Sequence, residues 1–264
     1  MNMEIKASQN VKNVLNELVQ ELRNIISDNL VGIYLHGSLA MGGFNPASSD
    51  IDIIVVAKDK LISQVKVDLR AKLQLLSKRL LSKGFDMSVV KLNVLKQFEH
   101  PTPYEFYFHY SNIAANKQIE DDGAYDSNLT IHFAITKERG ICLYGKPIAA
   151  IFPDVPKLYY LQSIAHDAEW SLNNIQKGPD TGKCLVPVYA VLNFCRALAF
   201  IKEELIASKI EGAEWGLEHL PEEYKPLIQE ALEEYKQSSV AKEVDAVLLK
   251  RFAAYSWNII KNVG

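Results

Sequence analysis

The stretch that decides the fold is HGSLAMGGFNPASSDIDIIVV, from His36 to Val56. It opens on a Gly-Ser pair, passes a Gly-Gly pair, and enters an apolar run of Ile51, Ile53, Ile54, Val55 and Val56 through Asp50-Ile51-Asp52. Aspartate is a poor strand former, and residues two apart on a strand share a face. Asp50 and Asp52 therefore present two like charges together, a conflict that a hard divalent cation between them resolves, with Mg2+ the natural candidate. Gly37 allows close backbone approach, and the Ser38 hydroxyl with neighbouring N–H groups can donate to phosphate oxygens. A lone D-x-D or a lone Gly-Ser pair means little. Together in strand–turn–strand context they point to a phosphate cradle beside a metal clamp.

Outward from this unit, Val11, Val14, Leu15, Leu18, Leu22, Ile25 and Ile26 predict a helix over 8–27. Residues 30–35 and 51–57 read as strands, 61–82 as a helix, and 85–92 as a third strand entered through Gly84. Shorter helices are expected over 103–112 and 129–139. Asp86, near the start of the third strand, adds a carboxylate that can bind metal or act as a general base on an attacking hydroxyl. After FPDVP, from Phe152 to Pro156, the periodicity is helical throughout, over 158–176, 184–207, 222–237 and 241–261. The expected architecture is α+β: a small mixed-sheet domain over 1–155 followed by an all-helical bundle over 156–264.

The bulk numbers fit a globular chain. Of 264 residues, 48% are hydrophobic and 23% charged, with net charge −3 and a pI of about 6.1. No basic field advertises nucleic acid, and no apolar run is long enough to span a membrane. No signal peptide is visible. The three cysteines, Cys142, Cys184 and Cys195, suggest reduced, buried thiols. The expectation is a cytoplasmic monomer with small-molecule substrates. Among the aromatic and imidazole side chains, His36 reads as a satisfied strand residue, His132 and His166 as helix residues without partners at ligand spacing, and Trp170, Trp215 and Trp257 as core. Glu105 and His109 are candidates for lining an acceptor pocket, and Glu99 reads as solvated surface.

Gly37-Ser38, eleven residues and then Asp50-Ile51-Asp52 resembles the signature of the polymerase-beta-like nucleotidyltransferases. With LYGKP (Leu143 to Pro147), FPDVP and the segment from Glu214 to Tyr235, nearly the whole chain resembles the streptomycin/spectinomycin (aminoglycoside) adenylyltransferase family. The resemblance implies a nucleotidyltransferase domain joined to a helical domain, with substrates bound between them. It implies Mg-dependent transfer of AMP from ATP to a hydroxyl of an aminoglycoside or aminocyclitol antibiotic, and hence resistance. Asp50 and Asp52 match the metal-binding aspartates, and Gly37 and Ser38 the triphosphate-holding pair. Asp86 falls where the family has a glutamate base. Arg196, Lys209 and Tyr235 match ATP contacts. A tryptophan that packs against streptomycin is replaced by Ser111, and Asp180 is the one carboxylate in the connection where the family places acidic drug contacts. Both departures favour a spectinomycin-like acceptor over streptomycin. The rivals are a nucleotidyltransferase with another acceptor (a lincosamide, a metabolite or a protein) and a catalytically weak nucleotide-binding protein.

Overall fold

The structure is a computed structural model that describes residues 5–81, 83–110, 124–181, 187–237 and 245–263. It is an α+β chain that divides into two compact units, Met1–Val155 and Pro156–Gly264.

The first unit is built on a five-stranded mixed sheet. Its strands are β1 (Leu30–Leu35), β2 (Ile51–Ala57), β3 (Phe85–Lys91), β5 (Phe106–His109) and β7 (Ile141–Gly145), in spatial order β5-β3-β2-β1-β7. Strands β2 and β3 run parallel, and the other neighbours are antiparallel. Two further short strands, β4 (Thr102–Pro103) and β6 (Tyr125–Asp126), pair with each other.

Alternation sorts the side chains of this sheet. Ile51, Ile53, Val55, Phe85, Met87, Val89, Phe106 and Phe108 join one core cluster with Val14, Leu18 and Leu22 of α1 (Gln9–Ile26) and Leu69, Leu73 and Leu76 of α3 (Ser63–Ser77). Tyr34, Ile54, Val56 and Val90 point the other way. There they meet Leu129 and Phe133 of α5 (Asn128–Arg139), and Ile151 and Phe152 at the end of α6 (Ile148–Ile151). Helices α2 (Gly37–Ala40) and α4 (Leu92–Lys96) are single turns following β1 and β3.

One expectation fails in this unit, and one strand had no expectation. The helix expected over 103–112 is replaced over 102–109 by β4 and β5, while residues 111 and 112 lie outside the described residues. Phe106-Tyr107-Phe108-His109 alternates buried and half-buried positions and pairs with β3, and an aromatic run of this kind suits a pleated surface. Strand β7 has no helical or strand signature in its five residues; pairing with β1 creates it.

The second unit is all helix: α7 (Lys157–Thr181), α8 (Pro187–Glu203), α9 (Lys209–His219), α10 (Lys225–Gln237) and α11 (Ala246–Ile260). Helix α8 is central, burying Ala190, Val191, Leu192, Phe194, Cys195, Ala197, Leu198, Ala199 and Phe200 against the other four. Helix α7 runs to Thr181, past the break expected at 177–183. Helix α9 is absent from the periodicity because Gly212 and Gly216 interrupt its apolar stripe. Both glycines are packing requirements: a Cβ on Gly212 would sit 2.6 Å from Arg196 Cγ, and one on Gly216 would sit 2.9 Å from Cys195 Sγ. A capping box, Ser208 with Glu211, starts this helix and was its legible signal. Among the described residues, no helix is long and apolar enough to cross a membrane. Cys195 is buried, but Cys142 is exposed on β7, against expectation; edge position explains it. Cys184 lies outside the described residues.

Candidate active site

Strand register assembles the candidate site. Asp52 of β2 is the register partner of Asp86 of β3, which in turn partners His109 of β5. Register partners on adjacent strands share a face, so the three side chains form a row. They lie on the face opposite Ile51, Ile53, Met87 and Phe108. Asp50 precedes β2 by one residue and returns to the same side: its Oδ2 lies 3.7 Å from His109 Nε2. Donor atoms of Asp50, Asp86 and His109 all fall within 4.8 Å of one another. Two carboxylates and an imidazole converging from three neighbouring chain segments are a chemically suitable donor set for a divalent cation.

The Gly-Ser pair borders this row. The His36 N–H donates to the Asp52 carbonyl at 3.1 Å, extending the β1–β2 pairing to the start of α2. Gly37 has φ +63°, and a Cβ there would fall 1.9 Å from Asp52 Oδ2. Any other residue would be strained in this left-handed conformation and would push the carboxylate aside. The Gly43 N–H donates to the Ser38 carbonyl at 2.9 Å. The Ser38 Oγ is buried with no hydrogen-bond partner among the described residues. A buried hydroxyl without a partner costs free energy, and a phosphate oxygen would supply what it lacks.

The electrostatics are strongly perturbed. Burial pushes the Asp86 carboxyl up to about 7; the Asp50 and Asp126 carboxylates push the same way, while His109 and the Tyr107 hydroxyl oppose them. That hydroxyl donates to Asp86 Oδ2 at 3.5 Å, and burial with the nearby carboxylates raises its own pKa. His36 is buried, and its pKa is held well below the usual imidazole value by burial and by His132, against the pull of Asp50. The two imidazoles pack with ring centroids 4.9 Å apart. Glu105 is buried, accepts from the Leu61 N–H at 3.4 Å and pairs with Lys91 Nζ at 3.2 Å; it is a structural tie rather than a pocket wall. Glu99 is exposed. Ser111 lies outside the described residues.

In the second unit, Arg196, Lys209 and Tyr235 belong to one polar–aromatic cluster. Lys209 Nζ lies 5.0 Å from the Tyr189 ring centroid and 5.7 Å from that of Tyr235. The Tyr189 hydroxyl donates to Asp167 Oδ1 at 3.2 Å, and Asn193 Nδ2 donates to Asp167 Oδ2 at 2.9 Å. Arg196 is braced by donation from Nε to the Ala207 carbonyl at 2.8 Å and from Nη1 to Asn193 Oδ1 at 3.2 Å. Asp167, Tyr189 and Asn193 had no sequence motif; their spacing along α7 and α8 gains meaning only once those helices pack. Trp170 is 48% exposed and meets Tyr189 edge-on at 6.0 Å, so it is not core as expected. Trp215 is buried, and Trp257 half-buried. Asp180 lies in the last turn of α7, its side chain outside the described residues.

Comparison with known proteins gives this geometry its context. Residues 17–101 match the polymerase beta nucleotidyltransferase family model, and residues 150–258 match the aminoglycoside adenylyltransferase C-terminal domain model. A spectinomycin 9-adenylyltransferase of Staphylococcus aureus is 24% identical over 230 residues, covering 84% of this chain and 85% of that protein. An aminoglycoside (3'') (9) adenylyltransferase of Escherichia coli is 26% identical over 268 residues, covering 96% and 97%. The crystal structure of a spectinomycin adenyltransferase, AAD(9), from Enterococcus with ATP and spectinomycin shares the fold. Its TM-score is 0.80 at 21% identity, over 95% of this chain and 99% of that one. The chain is thus a nucleotidyltransferase that carries a polymerase-beta-type nucleotidyltransferase domain followed by an aminoglycoside adenylyltransferase C-terminal domain.

Proposed function

We propose that this enzyme transfers AMP from ATP to a hydroxyl of an aminocyclitol or amino-sugar antibiotic, with spectinomycin-like acceptors favoured over streptomycin. The reaction releases pyrophosphate and confers resistance. The observation that carries the reading is the row Asp52–Asp86–His109, completed by Asp50 and bordered by Gly37-Ser38. The printed activities of the relatives support the acceptor class.

Mg2+ would be held by Asp50 and Asp52, where it supplies neutralisation of charge on the triphosphate. The Ser38 hydroxyl donates to a phosphate oxygen, and Gly37 keeps the backbone clear for that approach. Asp86 takes the proton from the acceptor hydroxyl as it attacks the α-phosphorus in line. A carboxylate raised to about 7 is basic enough for this near neutral pH, which an ordinary aspartate is not. The Tyr107 hydroxyl orients Asp86 through its Oδ2. Arg196 and Lys209 offset the triphosphate charge that the cation leaves, and Tyr235 contacts the nucleotide. Ser111 and Asp180 are assigned to the acceptor on the family resemblance. Catalysis is positioning plus charge neutralisation, and the carboxylates attract a cationic acceptor.

A screen of amino-sugar and aminocyclitol compounds for ATP-dependent pyrophosphate release tests this. Release with spectinomycin-like compounds and little with streptomycin is expected. No acceptor-dependent release with any of them would refute the acceptor class.

A further inference from the structure

The imidazoles of His36 and His132 take no part in the transfer steps, yet His36 is the residue through which β1 enters Gly37-Ser38. His36 is buried, and its side chain makes no capping hydrogen bond to α2. Its ring packs instead on the ring of His132, with centroids 4.9 Å apart and planes tilted by 43°. His132 belongs to α5, and α2 packs on that same helix. Helix α5 is itself fixed. Leu129 and Phe133 are fully buried in the core that holds Tyr34 and Ile54. The Thr136 hydroxyl donates to the His132 carbonyl at 2.7 Å, and the Thr130 hydroxyl lies 2.7 Å from His100 Nδ1. His132 therefore offers a ring on a firm support to the residue that precedes the cradle.

Gly37 cannot hold its own place. Glycine populates left-handed and right-handed backbone about as readily, so the φ of +63° at Gly37 has to be selected by what flanks it. Clearance there is small, since a Cβ would fall 1.9 Å from Asp52 Oδ2. Helix α2 has only four residues and depends on its surroundings for stability. On its far side the Met41 N–H donates to the Gly37 carbonyl at 3.0 Å, and the Gly43 N–H to the Ser38 carbonyl at 2.9 Å. On its near side the ties are the His36 N–H on the Asp52 carbonyl at 3.1 Å and the His36 ring on His132. We propose that His132 is a positioning residue for the triphosphate: by packing on His36 it fixes the backbone entering Gly37-Ser38, and so sets where the Ser38 hydroxyl meets a phosphate oxygen. Without the His132 ring a space opens beside His36, and the cradle loses one of its two near-side ties. The inference rests on Gly37-Ser38 holding the triphosphate in the proposed reaction.

The test is calorimetric binding of ATP with Mg2+ to the full chain, with no acceptor present, so it does not depend on turnover. His132→Ala should weaken ATP about fivefold or more. His132→Phe, which keeps a flat ring at the contact, should return the affinity to within about twofold of wild type. In a Ser38→Ala background, His132→Ala should cost less than about twofold, because the hydroxyl through which it acts is gone. A general loss of structure would instead cost the same in both backgrounds. ATP affinity of His132→Ala equal to wild type, failure of His132→Phe to restore it, or the same loss in both backgrounds would overturn the proposal. Should His132→Ala lose the wild-type near-UV circular dichroism spectrum, proton NMR of the wild type decides. The His132 imidazole C–H signals, identified by their loss in His132→Phe, should shift when ATP and Mg2+ are added, and unmoved signals would overturn the proposal. A wild type that binds no ATP would remove the transfer reaction and this role together. ATP binding that His132→Ala leaves intact would remove only the positioning role.

Discussion

Asp86→Asn offers a perturbation whose stability and activity effects run in opposite directions. The wild-type carboxyl is raised from 3.8 to about 7, chiefly by burial and secondarily by Asp50 and Asp126. A group whose folded pKa lies above its unfolded one contributes fully at low pH and loses that contribution as pH rises through the folded value. For Asp86, folding therefore becomes less favourable between about pH 4 and about pH 7, and levels off above. At about 1.4 kcal/mol per pH unit, the ceiling is about 4 kcal/mol. Relaxation and water penetration around the half-buried carboxyl bring the expected figure to about 2–3 kcal/mol. Asparagine carries no charge at any pH and so escapes this loss. In urea denaturation with a chelator present, the variant should gain about 2–3 kcal/mol on the wild type in going from about pH 4.5 to about pH 8. Its turnover should fall by about two to four orders of magnitude, with ATP affinity nearly unchanged. A difference between variant and wild type that is the same at both pH values would refute the burial argument. Turnover near the wild-type rate would refute the assignment of Asp86 as base.

Three further substitutions probe the cradle and the second unit. Gly37→Ala places a methyl 1.9 Å from the Asp52 carboxylate at φ +63°; it should cost about 1–2 kcal/mol of stability from backbone strain and at least about a hundredfold in kcat, read by thermal melts and pyrophosphate release. Ser38→Ala removes a buried hydroxyl without a partner among the described residues; calorimetry should show ATP binding weakened about tenfold, the worth of one bond to a charged group, with stability unchanged or raised. Gly212→Ala gains about 1 kcal/mol in helix propensity, but its methyl meets Arg196 Cγ at 2.6 Å. It should therefore weaken ATP about fivefold or more by displacing that guanidinium, a loss that vanishes in an Arg196→Ala background if the displacement is the cause.

The parts legible in sequence were those with a period or a conflict. Alternation of Ile and Val with Asp52 announced β2, and the clash of Asp50 and Asp52 with strand propensity marked the site, as expected where local rules are broken for function. Strand β5 was missed because four residues after a proline-rich turn carry too short a pattern to separate strand from helix. His109 went with it, remaining a loose pocket candidate until the register with Asp86 was known. The neighbours of Arg196 were hidden for a similar reason. Tyr189 and Asn193 lie 22 and 26 residues beyond Asp167 and meet it only when α7 packs on α8. Gly212 and Gly216 disguised α9 by interrupting its apolar stripe, although they are what lets α9 approach α8 closely.

The central claim is AMP transfer by this sheet edge, and the fate of the α-phosphate tests it most directly. With Mg2+, spectinomycin and ATP labelled at the α-phosphorus, the label should appear in a product heavier than spectinomycin by one adenylyl group. With ATP labelled at the γ-phosphorus, the label should appear in pyrophosphate, and Asp50→Asn should abolish both. Label from the γ-phosphate in the antibiotic, or no acceptor-dependent movement of either label, would contradict the account.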